Sequence, residues 1–255
     1  MTTRQILYCQ EQPGLIVDAA DFDGTNDFMT RGATLTGAAD SKTGILSAWV
    51  RFDGHDGVGD GILGSATTVG GTTPRFYVNR MATNKIQISA FNAAASQILI
   101  LNSVNAFVAS ATWRHILASW DMATVGARSV YMGDVDETDV ATFTNDTIDY
   151  TVADWAVGAI ANGSLKMLGP VAELYFAPGQ YLDFSIVANR RKFISASGKP
   201  VFLGVDGSAP TGTPPIVYQH LADGESVANF ATNRGTGGDF TITGTLDTAS
   251  SSPSD

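Results

Sequence analysis

The chain is poor in the residues that carry most enzyme chemistry. Among 255 residues there is one cysteine, Cys9, and three histidines, His55, His115 and His220. A lone cysteine excludes an intrachain disulfide. Charged residues make up only 16%. Four of the 25 acids are glutamate (Glu11, Glu137, Glu173 and Glu225), which leaves 21 aspartates. Aspartate favours turns and caps whereas glutamate favours helices, so the imbalance points to β-structure rich in turns. Lysine and arginine total 15, cluster only at Arg190-Arg191-Lys192, and leave a net charge of −10. Phosphate binding needs clustered cations, which argues against a nucleic-acid partner. No apolar run approaches the roughly 20 residues of a membrane span. The opening MTTRQILYCQEQPG lacks the apolar core of a signal peptide. The expectation is synthesis in a cytoplasm, with no membrane partner.

What is present is short apolar runs set between turn clusters. Apolar residues reach 44%, enough for a packed core. Strands are expected over 44–52, 75–78, 85–91, 97–101, 115–120, 129–132, 156–160 and 171–176. Between them stand GHDGVGDG, TTVGGTTP, DMATVGA, GDVDETD and IANGS. Many short strands with such punctuation indicate an all-β sandwich or barrel. One helix is expected over 183–195, where Phe184, Val187, Arg191 and Ile194 share a face, Asp183 or Ser185 can cap the start, and Gly198 and Pro200 end it. Residues 199–216 hold four prolines and several glycines and read as an extended arm. Two short strands, IVYQHL and FTITGTL, follow around the turn NRGTGGD. The expected organisation is an N-terminal arm over 1–18, a sandwich over 19–197, and a Pro/Gly-rich arm with a β extension over 198–255.

The stretch ADFDGTNDFM resembles the opening of laminin-G-like, concanavalin A-like jelly-roll domains. GILSAWVRFD resembles their next core strand, and ATWRHILASWDMA their Trp-x-His strand. SVYMGDVD and WAVGAIANGSLKMLGPVAELYFAPGQYLD resemble a later hairpin and the closing pair. The resemblance spans about residues 19–195 and implies a concanavalin A-like (laminin-G-like) jelly-roll sandwich with one short helix and a C-terminal extension. In texture, the C-terminal part resembles phage and prophage structural proteins. That implies a non-enzymatic virion structural protein, a capsid decoration or tail-fibre component that works as a homo-oligomer or on other virion proteins. The alternative on the same fold is a carbohydrate-binding adhesion or host-recognition module that meets surface glycans. Residues 199–255 would be the attachment region.

Catalysis has little to draw on. Glucanases of this fold set Glu-x-Asp-x-x-Glu on one strand, because two carboxyl groups about 5 Å apart must flank the scissile bond. Here no two glutamates share a strand. No Gly-x-Ser-x-Gly elbow and no phosphate-binding glycine motif occurs. His115 beside Trp113 reads as a packed histidine, and His55 in its Gly/Asp loop as a solvated one. Two acidic loops are candidates for Ca²⁺, which takes six to eight oxygens. The first offers Asp53, Asp56 and Asp60; the second runs from Asp134 to Asp139. Turn formation and solubility explain both loops without a metal, and no cofactor is otherwise implied. In FDGTND, Gly24 suits a positive φ while Asn26 and Asp27 can bind nearby amides, so the stretch reads as a hairpin with Phe22 and Phe28 packed inward. Asp23 or Asp27 as a calcium or sugar ligand is the other reading. For sugar binding, the loop residues Asn79, Asn84, Asn92, Asn102 and Asn162 are candidates. Trp49, Trp113, Trp120 and Trp155 read as core.

Overall fold

The computed structural model describes residues 16–65, 73, 75–160 and 163–255. Within these residues sixteen strands form two eight-stranded sheets, and every strand pair is antiparallel. The first sheet contains β1 (Ala20–Asp23), β3 (Thr43–Val50), β8 (Arg114–Asp121), β9 (Arg128–Met132), β10 (Val135–Asp136), β13 (Leu168–Pro178), β14 (Val217–Gln219) and β16 (Asp247–Thr248). Its order is β10-β9-β8-β3-β13-β1-β16, with β14 also paired to β13. The second contains β2 (Phe28–Arg31), β4 (Asp60–Gly64), β5 (Phe76–Arg80), β6 (Ile86–Phe91), β7 (Gln97–Ser103), β11 (Thr138–Phe143), β12 (Trp155–Val157) and β15 (Thr241–Thr243). Its order is β11-β7-β6-β5-β4-β12-β2-β15. This is a concanavalin A-like, laminin-G-like jelly-roll sandwich, as the resemblance implied.

Period-two alternation sorts the side chains. In β3, Leu46, Ala48 and Val50 enter the core between the sheets, while Ile45 and Trp49 join clusters on the outer face. The core centre is aromatic. Phe76 from the second sheet stacks on Phe176 from the first with centroids 4.7 Å apart, and Trp120, Tyr150 and Trp155 surround them. Buried polar tips are satisfied: Trp120 Nε1 donates to Tyr150 Oη (2.9 Å), and Trp155 Nε1 to the Val152 carbonyl (2.9 Å).

Two expectations need correction. First, FDGTND is not a hairpin. Its flanking strands lie in different sheets, β1 on β13 and β2 on β12, so the stretch carries the chain across the sandwich. Asp23 Oδ1 accepts from the backbone N–H of Thr25, Asn26 and Asp27, which holds its carboxyl below the ordinary aspartate range against an opposing desolvation. Phe22 is buried, whereas Phe28 is only half-buried and Met29 enters the core in its place. Asp27 is buried and accepts from Thr245 N (2.8 Å), and a Cβ on Gly244 would come within 2.1 Å of its Oδ1.

Second, the helix is one turn, α1 (Val187–Arg190), not 183–195. Arg190 explains the difference. Its guanidinium donates to the carbonyls of Phe184 and Ser185, and Asn189 Nδ2 takes the Asp183 carbonyl (2.9 Å). The Phe184 and Ser185 carbonyls thus meet a side chain in place of a helical amide, and the Asp183 carbonyl accepts Ile186 N in a tighter turn (3.3 Å). Asp183 Oδ1 caps only a turn, through Ser185 N (2.9 Å). The segment caps the first sheet's outer face, with Phe193 edge-on to Tyr175 and Phe184 edge-on to Phe193.

The chain beyond residue 197, read as an extension lying against the sandwich or against a neighbour, lies on the sandwich: β14 and β16 join one sheet and β15 the other, while Val217, Leu221, Phe230, Phe240 and Leu246 enter the common core. The C-terminal segment thus packs on its own chain. Of the expected N-terminal arm, residues 1–15 lie outside the described residues. Val17 is buried, bridges Ala222 and donates its N–H to Ser254 Oγ (3.1 Å).

A chain ended at Ser197 is accordingly expected to lose the native fold instead of shedding an arm. Near-ultraviolet circular dichroism and urea titration check this. A cooperative unfolding transition retained by the truncated chain would contradict it.

Candidate functional site

The acidic loops are occupied by arginines. Arg80 is fully buried against the Phe52 ring (4.4 Å). It reaches Asp60 Oδ2 through Nε (2.8 Å), Asp56 Oδ1 through Nη1 (2.9 Å) and the Gly54 carbonyl through Nη2. His55 Nδ1–H donates to the second Asp60 oxygen (2.8 Å), so this histidine is half-buried and partnered, not solvated. Asp53 instead takes a two-pronged contact from Arg51, both bonds 2.7 Å. The candidate metal ligands Asp53, Asp56 and Asp60 therefore split between two guanidinium groups. In the second loop, Asp134 is held by Arg190 and Arg191, and Glu137 by the backbone and side-chain amides of Asn105. Among the described residues no three His, Cys, Asp or Glu side chains converge as a metal centre.

The histidines and glutamates are likewise committed. His115 is packed, as expected: it stacks on Trp49 (centroids 4.6 Å), with Nε2 2.8 Å from Ser47 Oγ and Nδ1 buried without a partner. This is a serine–histidine pair without the carboxylate that would orient it for catalysis. Desolvation drives the imidazole down to about 3. Glu173 accepts from Tyr218 Oη (2.9 Å) and from His220 Nδ1, and Glu225 pairs with Arg234 (2.8 Å). The candidate Asn side chains are mostly engaged in structure: Asn84 Oδ1 accepts from Gly57 N, Asn92 bridges Ser96 and Asp146, and Asn102 pairs with Gln87; Asn79 is buried. Asn162 lies outside the described residues. Three tryptophans are core, while Trp113 is only half-buried and donates to Ser251 Oγ (3.1 Å).

A different place has the form of a ligand site. A cleft of about 490 Å³ opens where the β8–β9 turn meets residues 181–185 on the outer side of the first sheet. Tyr131, Tyr181, Asp121, Asp136, Asp183 and Ser185 are among its lining residues. The Arg190 guanidinium lies 4.6 Å from the Tyr131 ring and is itself tied to Asp134 (3.0 Å), so Tyr131 is fixed from above. Asp136 stands opposite Tyr131 in the β9–β10 register. Ser119 Oγ donates to the Leu182 carbonyl (2.6 Å) and ties the other wall to β8. Burial, then the Asp136 charge, raises the Tyr131 phenol above its ordinary range; burial, then Asp183 and Asp121, does the same for Tyr181. Both phenols therefore stay protonated near neutrality; the Tyr131 hydroxyl is already bonded to Asp136. Sequence reasoning singled out neither tyrosine. The available signal was the aspartate close to each, in YMGDVD and YLD, but 50 residues separate the two rings.

No protein-family model matches the chain, and no curated protein matches it in sequence. In fold it is similar to a presumptive carbohydrate-binding protein of Bacteroides ovatus, with a TM-score of 0.62 at 13% identity over 93% of this chain and 61% of that one. It is also similar to the CBM40 domain of the Ruminococcus gnavus IT-sialidase bound to α2,6-sialyllactose (TM-score 0.47, 10% identity, 67% of this chain and 95% of that one). Domains LG4-5 of the mouse laminin α1 chain give 0.44 at 14% identity over 66% and 43%. The chain spans less than two thirds of the Bacteroides protein, and at these identities the likeness speaks for the fold.

Two outcomes follow from the buried groups. Replacing Arg80 with Met leaves Asp60 buried without its countercharge and is expected to cost about 3–5 kcal/mol in urea unfolding; a loss below about 1 kcal/mol would show the hub to be dispensable. For His115, the unfolded imidazole takes a proton below about 6.5, whereas the folded one does so only near 3. Between these values the unfolded state holds more protons, so stability falls as pH drops, by roughly 3 kcal/mol at pH 4. The acid slope of His115→Phe should be shallower by that amount, and equal slopes would refute the assignment.

Proposed function

We propose that this chain is a non-enzymatic glycan-binding module whose ligand occupies the Tyr131–Tyr181 cleft. The observation that carries this is the meeting, in one cleft, of the buried Tyr131 and the half-buried Tyr181 with carboxylate and hydroxyl groups. Sugars present apolar C–H faces and rings of hydroxyls, and sites for them combine aromatic surface with a few fixed polar groups. The likeness in fold to the presumptive carbohydrate-binding protein of Bacteroides ovatus supports the same reading. Hydrolysis has less behind it, because Glu137, Glu173 and Glu225 stand apart and each is held by its own partners. A virion structural role rests on the textural resemblance of the C-terminal part to phage structural proteins; of the features that fitted it, the Pro/Gly-rich arm is followed by strands built into the chain's own sandwich.

The test is a glycan array followed by calorimetry on the hits. Tyr181→Ala should weaken binding about tenfold or more, the loss of one aromatic contact, with an unchanged thermal midpoint because Tyr181 is only half-buried. Hits that bind Tyr181→Ala and Ser185→Ala as tightly as the parent would place the glycan elsewhere.

A further inference from the structure

Residues 247–255 are held to the first sheet by few contacts. They follow Leu246, which is buried in the core. β16 pairs two residues with β1, and both are exposed. Beyond it, Ala249 N donates to the Ala19 carbonyl (2.9 Å), and the Ala249 side chain packs on the outer cluster of Ala19, Trp49, Ala172 and Ile194. Ser251 Oγ accepts from two donors, Arg51 Nη1 (2.6 Å) and Trp113 Nε1 (3.1 Å). Ser252 and Pro253 are buried, and Ser254 Oγ accepts from Val17 N (3.1 Å).

The strand that opens this segment faces a like charge. In the β1–β16 register Asp247 stands opposite Asp21. Like charges directly opposed on neighbouring strands destabilise the pairing. On its other side Asp21 stands opposite Pro170 of β13, which carries no charge. Just past the end of β3 it meets Arg51 and Asp53. Arg51 gives Nε and Nη2 to Asp53 and Nη1 to Ser251, so its bonds go to those two residues. Burial, then the Asp53 charge, raises the Asp21 carboxyl above its ordinary range; Arg51 opposes this and Asp247 adds to it.

We propose that residues 247–255 form a strap that closes when the Asp21–Asp247 pair carries a proton and loosens when both carboxylates are charged. Loosening uncovers the half-buried Trp113 and frees two donors, the indole N–H and Arg51 Nη1, that Ser251 now occupies. Ser251 is thus an internal occupant of a seat for an acceptor oxygen. The sign follows from linkage. The closed strap holds Asp21 beside Asp247 and partly away from water, so closing takes up a proton and acid favours it. The closed Asp21 carboxyl titrates above 3.8, so the gain appears as pH falls into that range and is lost above it. The strap lies apart from the Tyr131–Tyr181 cleft, and its test leaves the glycan reading untouched.

The test is amide hydrogen exchange on the full chain, read residue by residue by NMR and normalised to the intrinsic chemical rate at each pH. At pH 7 the Ala249 and Val17 amides should exchange at least about tenfold faster than those of the central strand β3, because they open without global unfolding. Asp247→Asn should slow both amides about threefold at pH 7, and should flatten the protection they otherwise gain between pH 7 and pH 5. Ser251→Ala should speed them about tenfold, through the loss of two accepted hydrogen bonds. Protection of Ala249 equal to that of β3 would overturn the proposal by showing no separate motion. Rates unchanged by Asp247→Asn would overturn it by removing the carboxylate pair from control, and rates unchanged by Ser251→Ala by removing the donor seat.

Discussion

Glu173 sits near the middle of the eleven-residue strand β13 with a left-handed backbone, φ +48°. Ala172 faces outward, onto the cluster of Trp49, and Leu174 inward, so strict alternation has no place for the residue between them. The pairing with β3 slips there, between Ala172 and Tyr175. The bulge turns a carboxylate that would face the apolar core toward Tyr218 and His220 instead. Holding a non-glycine residue in this region costs about 1–2 kcal/mol, offset by two hydrogen bonds to a buried charge. The bulge also marks where β13 changes partner. Before it, residues 168–171 pair with β1; after it, 174–176 pair with β14. One edge of one strand thus holds the beginning and the end of the described chain together, and β16 closes over β1 beyond it.

The same economy governs the charges. A chain with 25 acids and 15 bases uses its arginines as nodes that each hold several loops. Arg80 ties the 54–60 loop to the Phe107 carbonyl and, through Asp56, to Ala109 N. Through Asp60 it connects to Leu168 N, at the start of β13. Arg190 plays the corresponding part at the cap, between Asp134, Phe184 and Tyr131. Carboxylates placed this way are structural, which is why loops rich in aspartate need not be metal loops.

Strand positions were legible because strands buried on both faces leave short apolar runs bounded by turn residues, as in GILSAWV and RHILASWD. Pairing was not legible. Nothing within FDGTND tells that β1 and β2 belong to different sheets, since a turn between sheets and a hairpin turn make the same demand on Gly24 and Asp23. The helix was overread because Phe184 and Phe193 do share a buried face, while the competing bonds come from Arg190, whose role depends on Asp134 far away in sequence. The Pro/Gly stretch looked like an arm because turn residues are the same whether a segment wanders or weaves. What distinguishes them here is Val217, Tyr218 and Gln219 behind it, buried and paired to β13. The cleft was hidden for a related reason: its two tyrosines come from different elements, and only the fold sets them side by side.

The position of that cleft follows from where the cap stops. Residues 182–203 cover the outer face of the first sheet over Ile45, Leu117, Tyr175 and Tyr218. Toward the edge the cover thins, because β10 is only two residues long and both are exposed. A short edge strand carrying Asp136 resists pairing with another chain, and behind it Tyr131 stays buried at the cleft wall. The two walls then differ in stiffness. Tyr131 lies in a paired strand beneath an arginine, whereas Tyr181 stands on a loop tied to β8 through Ser119 and Leu182. Under the proposed reading, a ligand between them would meet one wall set by a paired strand and one set by a loop, the division by which a scaffold sets position and a loop sets selectivity.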